Sequence, residues 1–79
     1  MNKDEILEKV KKVISTNLYV EETEIKEEDR FREDIGADSL DKVSIFMDFE
    51  TEFSIKIPDE DLEKVLTIKE AVDYLANRI

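Results

Sequence analysis

Ser39-Leu40-Asp41-Lys42-Val43-Ser44-Ile45-Phe46-Met47-Asp48-Phe49-Glu50-Thr51-Glu52-Phe53 is the stretch on which the fold turns. Leu40, Val43, Phe46, Met47, Phe49 and Phe53 recur at helical spacing and Ile45 broadens the stripe, while Asp48, Glu50 and Glu52 mark a wet side. Residues three and four apart share one face of a helix, so the run predicts an amphipathic helix opening near Ser39. Asp38 or Ser39 can cap it, and Asp41 lies in the first turn, where the helix dipole favours negative charge.

Upstream, Tyr19 to Ala37 carries two charge clusters, Glu21-Glu22-Thr23-Glu24 and Lys26-Glu27-Glu28-Asp29-Arg30, and no helical stripe. It reads as a long loop held to the core by Val20, Ile25, Phe31 and Ile35. Structureless loops of this length in small domains are unusual and often functional. The only glycine, Gly36, ends it, where a turn with positive φ is easiest. Before the loop, Asn2 and Glu5 form a variant of the capping box, and Ile6, Leu7, Val10, Val13 and Ile14 give one apolar face. Leu18 falls in or just after that helix's last turn.

Downstream, Ile55-Lys56-Ile57 alternates but has no partner strand. Pro58 suits the first position of a helix, with Asp59, Glu60 and Asp61 at its start and Leu62, Val65 and Leu66 as a short apolar face. Thr67 and Glu70 then form a capping box for a last helix with the face Ile68, Ala71, Val72, Leu75 and Ile79. The expected fold is all-α: a single domain over residues 1–79, built as a four-helix bundle with a long loop between helices 1 and 2 and a short third helix.

Composition excludes most catalytic chemistries. There is no cysteine and no histidine among the 79 residues, which removes thiolate nucleophiles, zinc–thiolate sites and serine–histidine or cysteine–histidine catalysis. With 22 carboxylates, near pairs arise by chance and specify no acid–base couple or metal site. Asp34-Ile35-Gly36-Ala37-Asp38 does not match the ligand spacing of an EF-hand, so any cation association is charge screening. No apolar run approaches the ~20 residues that span a bilayer. The start Met1–Glu5 is polar and acidic, unlike a signal peptide, and the chain is expected to be cytoplasmic. A net charge of −10 argues against nucleic acid and for partners with basic patches. Between Glu33 and Glu63 there are eleven acidic residues and two basic ones, Lys42 and Lys56, so one segment carries nearly all of the imbalance.

Ser39 alone among the hydroxyls combines a glycine turn before it, a helix after it and a place at the head of the acidic stretch. Taken by itself that describes a helix cap. However, Asp34-Ile35-Gly36-Ala37-Asp38-Ser39-Leu40-Asp41 resembles the modification motif of the acyl carrier protein family. Phe31 stands at the family's aromatic position, and Glu50-Thr51-Glu52-Phe53, Ile57-Pro58-Asp59-Glu60 and Thr67-Ile68 through Asp73-Tyr74-Leu75 continue the likeness in register.

The resemblance implies a carrier and not an enzyme. Phosphopantetheinyl transferase would attach 4'-phosphopantetheine from coenzyme A to Ser39, and acyl groups would ride as thioesters to the enzymes of fatty acid synthesis. It further implies a monomer, with a docking surface at Asp38, Leu40, Asp41, Met47, Asp48 and Glu50. An acyl pocket would be lined by Phe46, Phe49, Ile57, Leu62, Val65, Ile68 and Ala71. The attached phosphate suits a helix N terminus, although Asp38 and Asp41 oppose it locally.

Some positions depart from the family pattern. Lys42 puts a positive charge inside the recognition helix, Ser44 and Asp48 differ from the housekeeping pattern, and Tyr19 replaces a usual glycine. Phe49 and Leu62 are bulkier than the norm, which implies a smaller or reshaped pocket. Two alternatives stay open: a specialised stand-alone carrier of polyketide or aminoacyl intermediates, and an acidic helical adaptor that is never modified.

Overall fold

The computed structural model describes all 79 residues. Four helices follow in order: α1 (Lys3–Leu18), α2 (Ser39–Phe53), α3 (Asp59–Lys64) and α4 (Ile68–Ala76). The loop between α1 and α2 holds one 3₁₀ turn, Glu22–Glu24. The helical bundle expected from the sequence is thus the observed architecture.

The helix starts follow from local chemistry. Asn2, Asp38 and Thr67 each accept a hydrogen bond from the backbone N–H three residues on, and the Glu5, Asp41 and Glu70 carboxylates in turn accept one from the cap residue's backbone N–H. Each reciprocal pair satisfies two donors that a helix start otherwise leaves orphaned. At α3 the assignment shifts by one residue: Pro58 is the cap position and Asp59 the first helical residue. Pro58 has extended backbone and no side-chain acceptor, so only its rigid φ and the three carboxylates behind it favour this start.

Sixteen buried side chains form one core, and none of them is polar. α1 contributes Ile6, Val10 and Ile14, with Leu7, Val13 and Leu18 packed at the edge. α1 lies against both α2 and α4, and α3 leans on α2. Phe31, Phe46, Phe49 and Phe53 run through the core as a chain of tilted rings, with centroids 5.6, 5.1 and 6.4 Å apart. Exposed ion pairs join the helices at their rims: Lys3 with Asp73 at 2.8 Å and Lys9 with Glu52 at 3.1 Å. Such pairs contribute about 0–1 kcal/mol each, so the core and not the rim holds the bundle.

The apolar stripe read along α2 divides in two. Ile45, Phe46, Phe49 and Phe53 are buried, whereas Leu40 is 79% exposed and Met47 59%, with Val43 exposed beside them. At about 100° per residue the buried set is centred on the side of the helix roughly opposite Leu40, Val43 and Met47. Apolar residues therefore occupy both faces of α2, and only packing reveals which is inward. At the other end, Ile79 lies beyond α4 and is exposed, not part of its face, because the helix ends at Ala76.

The long loop is fastened by more than side-chain anchors. Ile25 and Phe31 are buried as expected, with Val20 and Ile35 partly so. In addition the Phe31 N–H donates to Leu66 O at 3.0 Å, the Ile68 N–H to Asp29 O at 2.9 Å and the Lys69 N–H to Glu27 O at 2.8 Å. The first two make an isolated antiparallel bridge between Arg30 and Thr67, and all three tie the loop to the start of α4. Gly36 then turns with φ of 85°, in the left-handed region where glycine has no steric penalty.

Two residues other than glycine share that region. Tyr19 (φ 57°) and Ser54 (φ 55°) are the C-caps of α1 and α2. Tyr19 is 93% exposed, so its side chain offsets little of the cost of that conformation. Tyr19→Gly is expected to raise stability by about 1 kcal/mol, read as a higher urea midpoint at unchanged slope.

Candidate functional site

The loop ends in a tight turn that presents α2. The Asp34 and Ile35 N–H groups donate to Arg30 O, and the Ala37 N–H donates to Phe31 O at 2.7 Å. Asp34 Oδ2 accepts from the Arg30 N–H at 2.8 Å and from Arg30 Nε at 3.3 Å. Those bonds, the backbone one foremost, hold the Asp34 carboxyl below its ordinary 3.8. A lowered carboxylate value stabilises the fold above 3.8, and that contribution is lost as pH falls through the lowered value. The turn is therefore acid-sensitive.

Beyond the turn, Asp38 caps α2: its Oδ1 accepts from the Asp41 N–H at 2.9 Å, and Asp41 Oδ2 accepts from the Asp38 N–H at 3.3 Å. Ser39 is thus the first helical residue and not the cap. It is exposed, and its hydroxyl takes no part in the hydrogen bonds around it. The Ser39 and Leu40 N–H groups precede the helical ladder and point outward at the same end. An ester or phosphodiester on this exposed primary hydroxyl would break no hydrogen bond of the cap.

Two grooves flank Ser39, and Lys42 lines both. The groove on the loop side, about 440 Å³, is bounded by Arg30, Phe31, Arg32, Asp38 and Leu66 among others. The groove on the α3 side, about 410 Å³, is bounded by Val43, Asp59, Leu62 and Glu63. Of the residues expected to line an acyl pocket, Phe46, Phe49, Ile57, Val65, Ile68 and Ala71 are brought together in the buried core. Leu62 is half-buried and is the member of that set that reaches a groove beside Ser39.

The residues expected at a docking surface fall in four places. Leu40 and Met47 share the exposed apolar face of α2 with Val43. Asp38 and Asp41 are joined in the cap. Asp48 turns toward α1, where Asn17 Nδ2 donates to its Oδ2 at 2.8 Å. Glu50 reaches under the turn after α2, and its Oε2 accepts from the Ile57 N–H at 2.8 Å. Val43, Arg32 and Leu66 also lie near Ser39: the sequence presents Val43 and Leu66 only as apolar-face residues of the second and third helices, and Arg32 is brought there by loop geometry.

α3 is pinned to α4 by one cluster. The Tyr74 hydroxyl donates to Asp61 Oδ2 at 2.6 Å, Arg78 Nη2 donates to the same oxygen at 3.2 Å, and the guanidinium stands 4.7 Å from the Tyr74 ring centre. Burial first, then the Asp61 bond, pushes the Tyr74 phenol above its ordinary 10.0. This short helix, with no fully buried residue of its own, leans on α2 and borders a groove beside Ser39.

No helix is long and apolar enough to cross a membrane. The family model described as the phosphopantetheine attachment site matches residues 8–75. The chain is 45% identical over 78 residues to an acyl carrier protein of Thermotoga maritima, covering 99% of this chain and 96% of that one. It is 47% identical over 75 residues to an acyl carrier protein of Rubrobacter xylanophilus, with 95% and 93% covered. To an acyl carrier protein of Chlorobium phaeobacteroides it is 44% identical over 78 residues, with 99% and 100% covered. An exposed, unbonded serine at the head of a capped acidic helix, within a match that spans nearly the whole chain, has one consistent reading: the chain belongs to the acyl carrier protein family and is a phosphopantetheine-bearing carrier, not a catalyst.

Proposed function

We propose that Ser39 is the attachment residue, that a phosphopantetheinyl transferase modifies it from coenzyme A, and that the loaded chain delivers acyl groups to enzymes of fatty acid synthesis. The single observation that carries the assignment is the state of the Ser39 side chain. Asp38 supplies the cap, so no structural duty is left to the hydroxyl, and it stands exposed at a helix N terminus that favours phosphate.

The chain has no histidine or cysteine to take the proton of Ser39. Ser39 is therefore a substrate: Oγ forms the new bond to phosphorus, the remainder of coenzyme A leaves, and a base of the transferase receives the proton. The bound arm supplies a thiol on a flexible tether, on which cargo is held as a thioester. In our reading α2 docks the partners through the exposed face of Leu40, Val43 and Met47, rimmed by Asp38, Asp41, Asp48 and Glu50. Cargo enters beside Leu62 and lodges among Phe46, Phe49, Ile57, Val65, Ile68 and Ala71 as α3 moves. The protein acts as a cytoplasmic monomer.

Incubation of the purified chain with coenzyme A and a phosphopantetheinyl transferase tests the assignment. Intact mass is expected to rise by one phosphopantetheine group, located by peptide mapping to the segment containing Ser39. A chain that keeps its unmodified mass would be an acidic helical adaptor.

Encounter with partners is expected to depend on salt. Exposed carboxylates raise the association rate more than they raise affinity, and screening removes that effect over roughly 10 Å at 0.1 M salt. Association rates with a basic-patch partner, followed by stopped flow, should fall by about tenfold or more as salt rises. A flat dependence would place the recognition on Leu40, Val43 and Met47 alone.

A further inference from the structure

Arg30, Arg32 and Lys42 converge on the loop-side groove at Ser39, three cations against the two carboxylates of Glu33 and Asp38, in a chain of net charge −10. Arg30 is already committed: its Nε lies 3.3 Å from both Glu33 and Asp34. Arg32 and Lys42 belong to none of the five ion pairs of the chain.

Lys42 is an unusual cation. At about 100° per residue it falls on the arc of α2 that carries Ile45, Phe46 and Phe49, so it is set on the core-facing side at the mouth of the core. It is half-buried, and Nζ stands 5.7 Å from the Phe31 ring centre and 5.8 Å from that of Phe46. Burial holds its amine below the ordinary 10.5, against the opposing pull of Glu70 and Glu63. An ammonium taken partly out of water and given no close partner gains from an anion placed within its reach.

The carboxylates of the cap do not supply that anion. Asp38 and Asp41 are turned onto each other's backbone N–H groups. Ser39 is three residues before Lys42, one turn away on the helix, and helical side chains lean toward the N terminus. The groove on the opposite side of Lys42 presents Asp59 and Glu63, which repel an anion. The two sides of Ser39 thus differ in sign.

We propose that Arg32 and Lys42 form a phosphate clamp that holds the phosphodiester joining the arm to Ser39 and turns the root of the arm toward the loop-side groove. This rests on Ser39 being the attachment residue. Neutralising the phosphate also relieves its repulsion from Asp38 and Asp41, and it fixes the direction in which the arm leaves the protein.

The test uses holo protein whose complete modification is established by intact mass, with ³¹P NMR on the phosphodiester. In the parent the phosphorus tumbles with the protein. In Arg32→Gln/Lys42→Met its transverse relaxation rate should fall about two-fold or more, because the phosphodiester gains nanosecond motion of its own. Arg32→Gln alone, at an exposed position, should give part of that fall. The charge-matched Lys11→Gln/Lys12→Gln variant on α1 should give none. The Arg32 Nε–H resonance should also shift between apo and holo parent. Full mass gain with equal relaxation in all four proteins overturns the clamp and leaves the Ser39 assignment standing. Absence of any mass gain in the parent overturns both.

Discussion

Ser39→Ala is expected to fold as the parent does and to gain no mass when incubated with coenzyme A and a transferase. The two halves of this result arise from separate features. Asp38, not Ser39, accepts the hydrogen bond that caps α2, so truncating the hydroxyl removes no capping bond and buries no unsatisfied group. Alanine is also a good residue in the first turn of a helix, and the urea midpoint should change by less than about 0.5 kcal/mol equivalent. The loss of modification should be complete, because no other hydroxyl occupies an exposed first position of a long helix. The companion variant Asp38→Ala makes the contrast. It removes the cap and is expected to cost about 1 kcal/mol while leaving the hydroxyl in place. If Ser39→Ala still gains the mass of the arm, peptide mapping would locate a different acceptor and the docking geometry built around Ser39 would fall with it.

Phe49→Ala is expected to be the most damaging single truncation. Phe49 is fully buried and is the central link of the aromatic chain, with Phe46 at 5.1 Å on one side and Phe53 at 6.4 Å on the other. Truncating a buried phenylalanine costs about 3–5 kcal/mol through lost burial and the cavity left behind. A domain of this size has only about 4–12 kcal/mol to lose, by the usual value per residue. Net charge of −10 adds self-repulsion and places the chain toward the lower end. The variant should therefore show a melting temperature lowered by more than about 12 °C and a substantial unfolded fraction at physiological temperature. Added salt should recover part of the loss by screening the carboxylates. A loss below about 1 kcal/mol would mean that the core closes around the missing ring, as a core built to part for cargo could.

The two substitutions separate what the fold needs from what the site needs. Glu50 shows why the distinction is not visible along the chain. Among many exposed acids it reads as one more charge for docking, yet its carboxylate closes the turn after α2 by accepting the Ile57 N–H. Asp48 likewise bonds Asn17 on α1. Both partners are far away in sequence, seven residues for Glu50 and 31 for Asp48, and spacing rules cover only three or four.

Local sequence chemistry determined the caps at Asn2 and Thr67, the glycine turn at Gly36, the four helices and the serine at the head of α2, and narrowed the α2 cap to Asp38 or Ser39, since each depends on residues within one or two turns of chain; the structure gave that cap to Asp38. Tertiary structure alone decided which face of α2 is inward, how the loop is laced to the start of α4, and that Arg32 and Lys42 stand beside Ser39. Those outcomes depend on contacts between segments distant in sequence, where an apolar side chain on either face of a helix looks the same until a neighbouring element covers one of them.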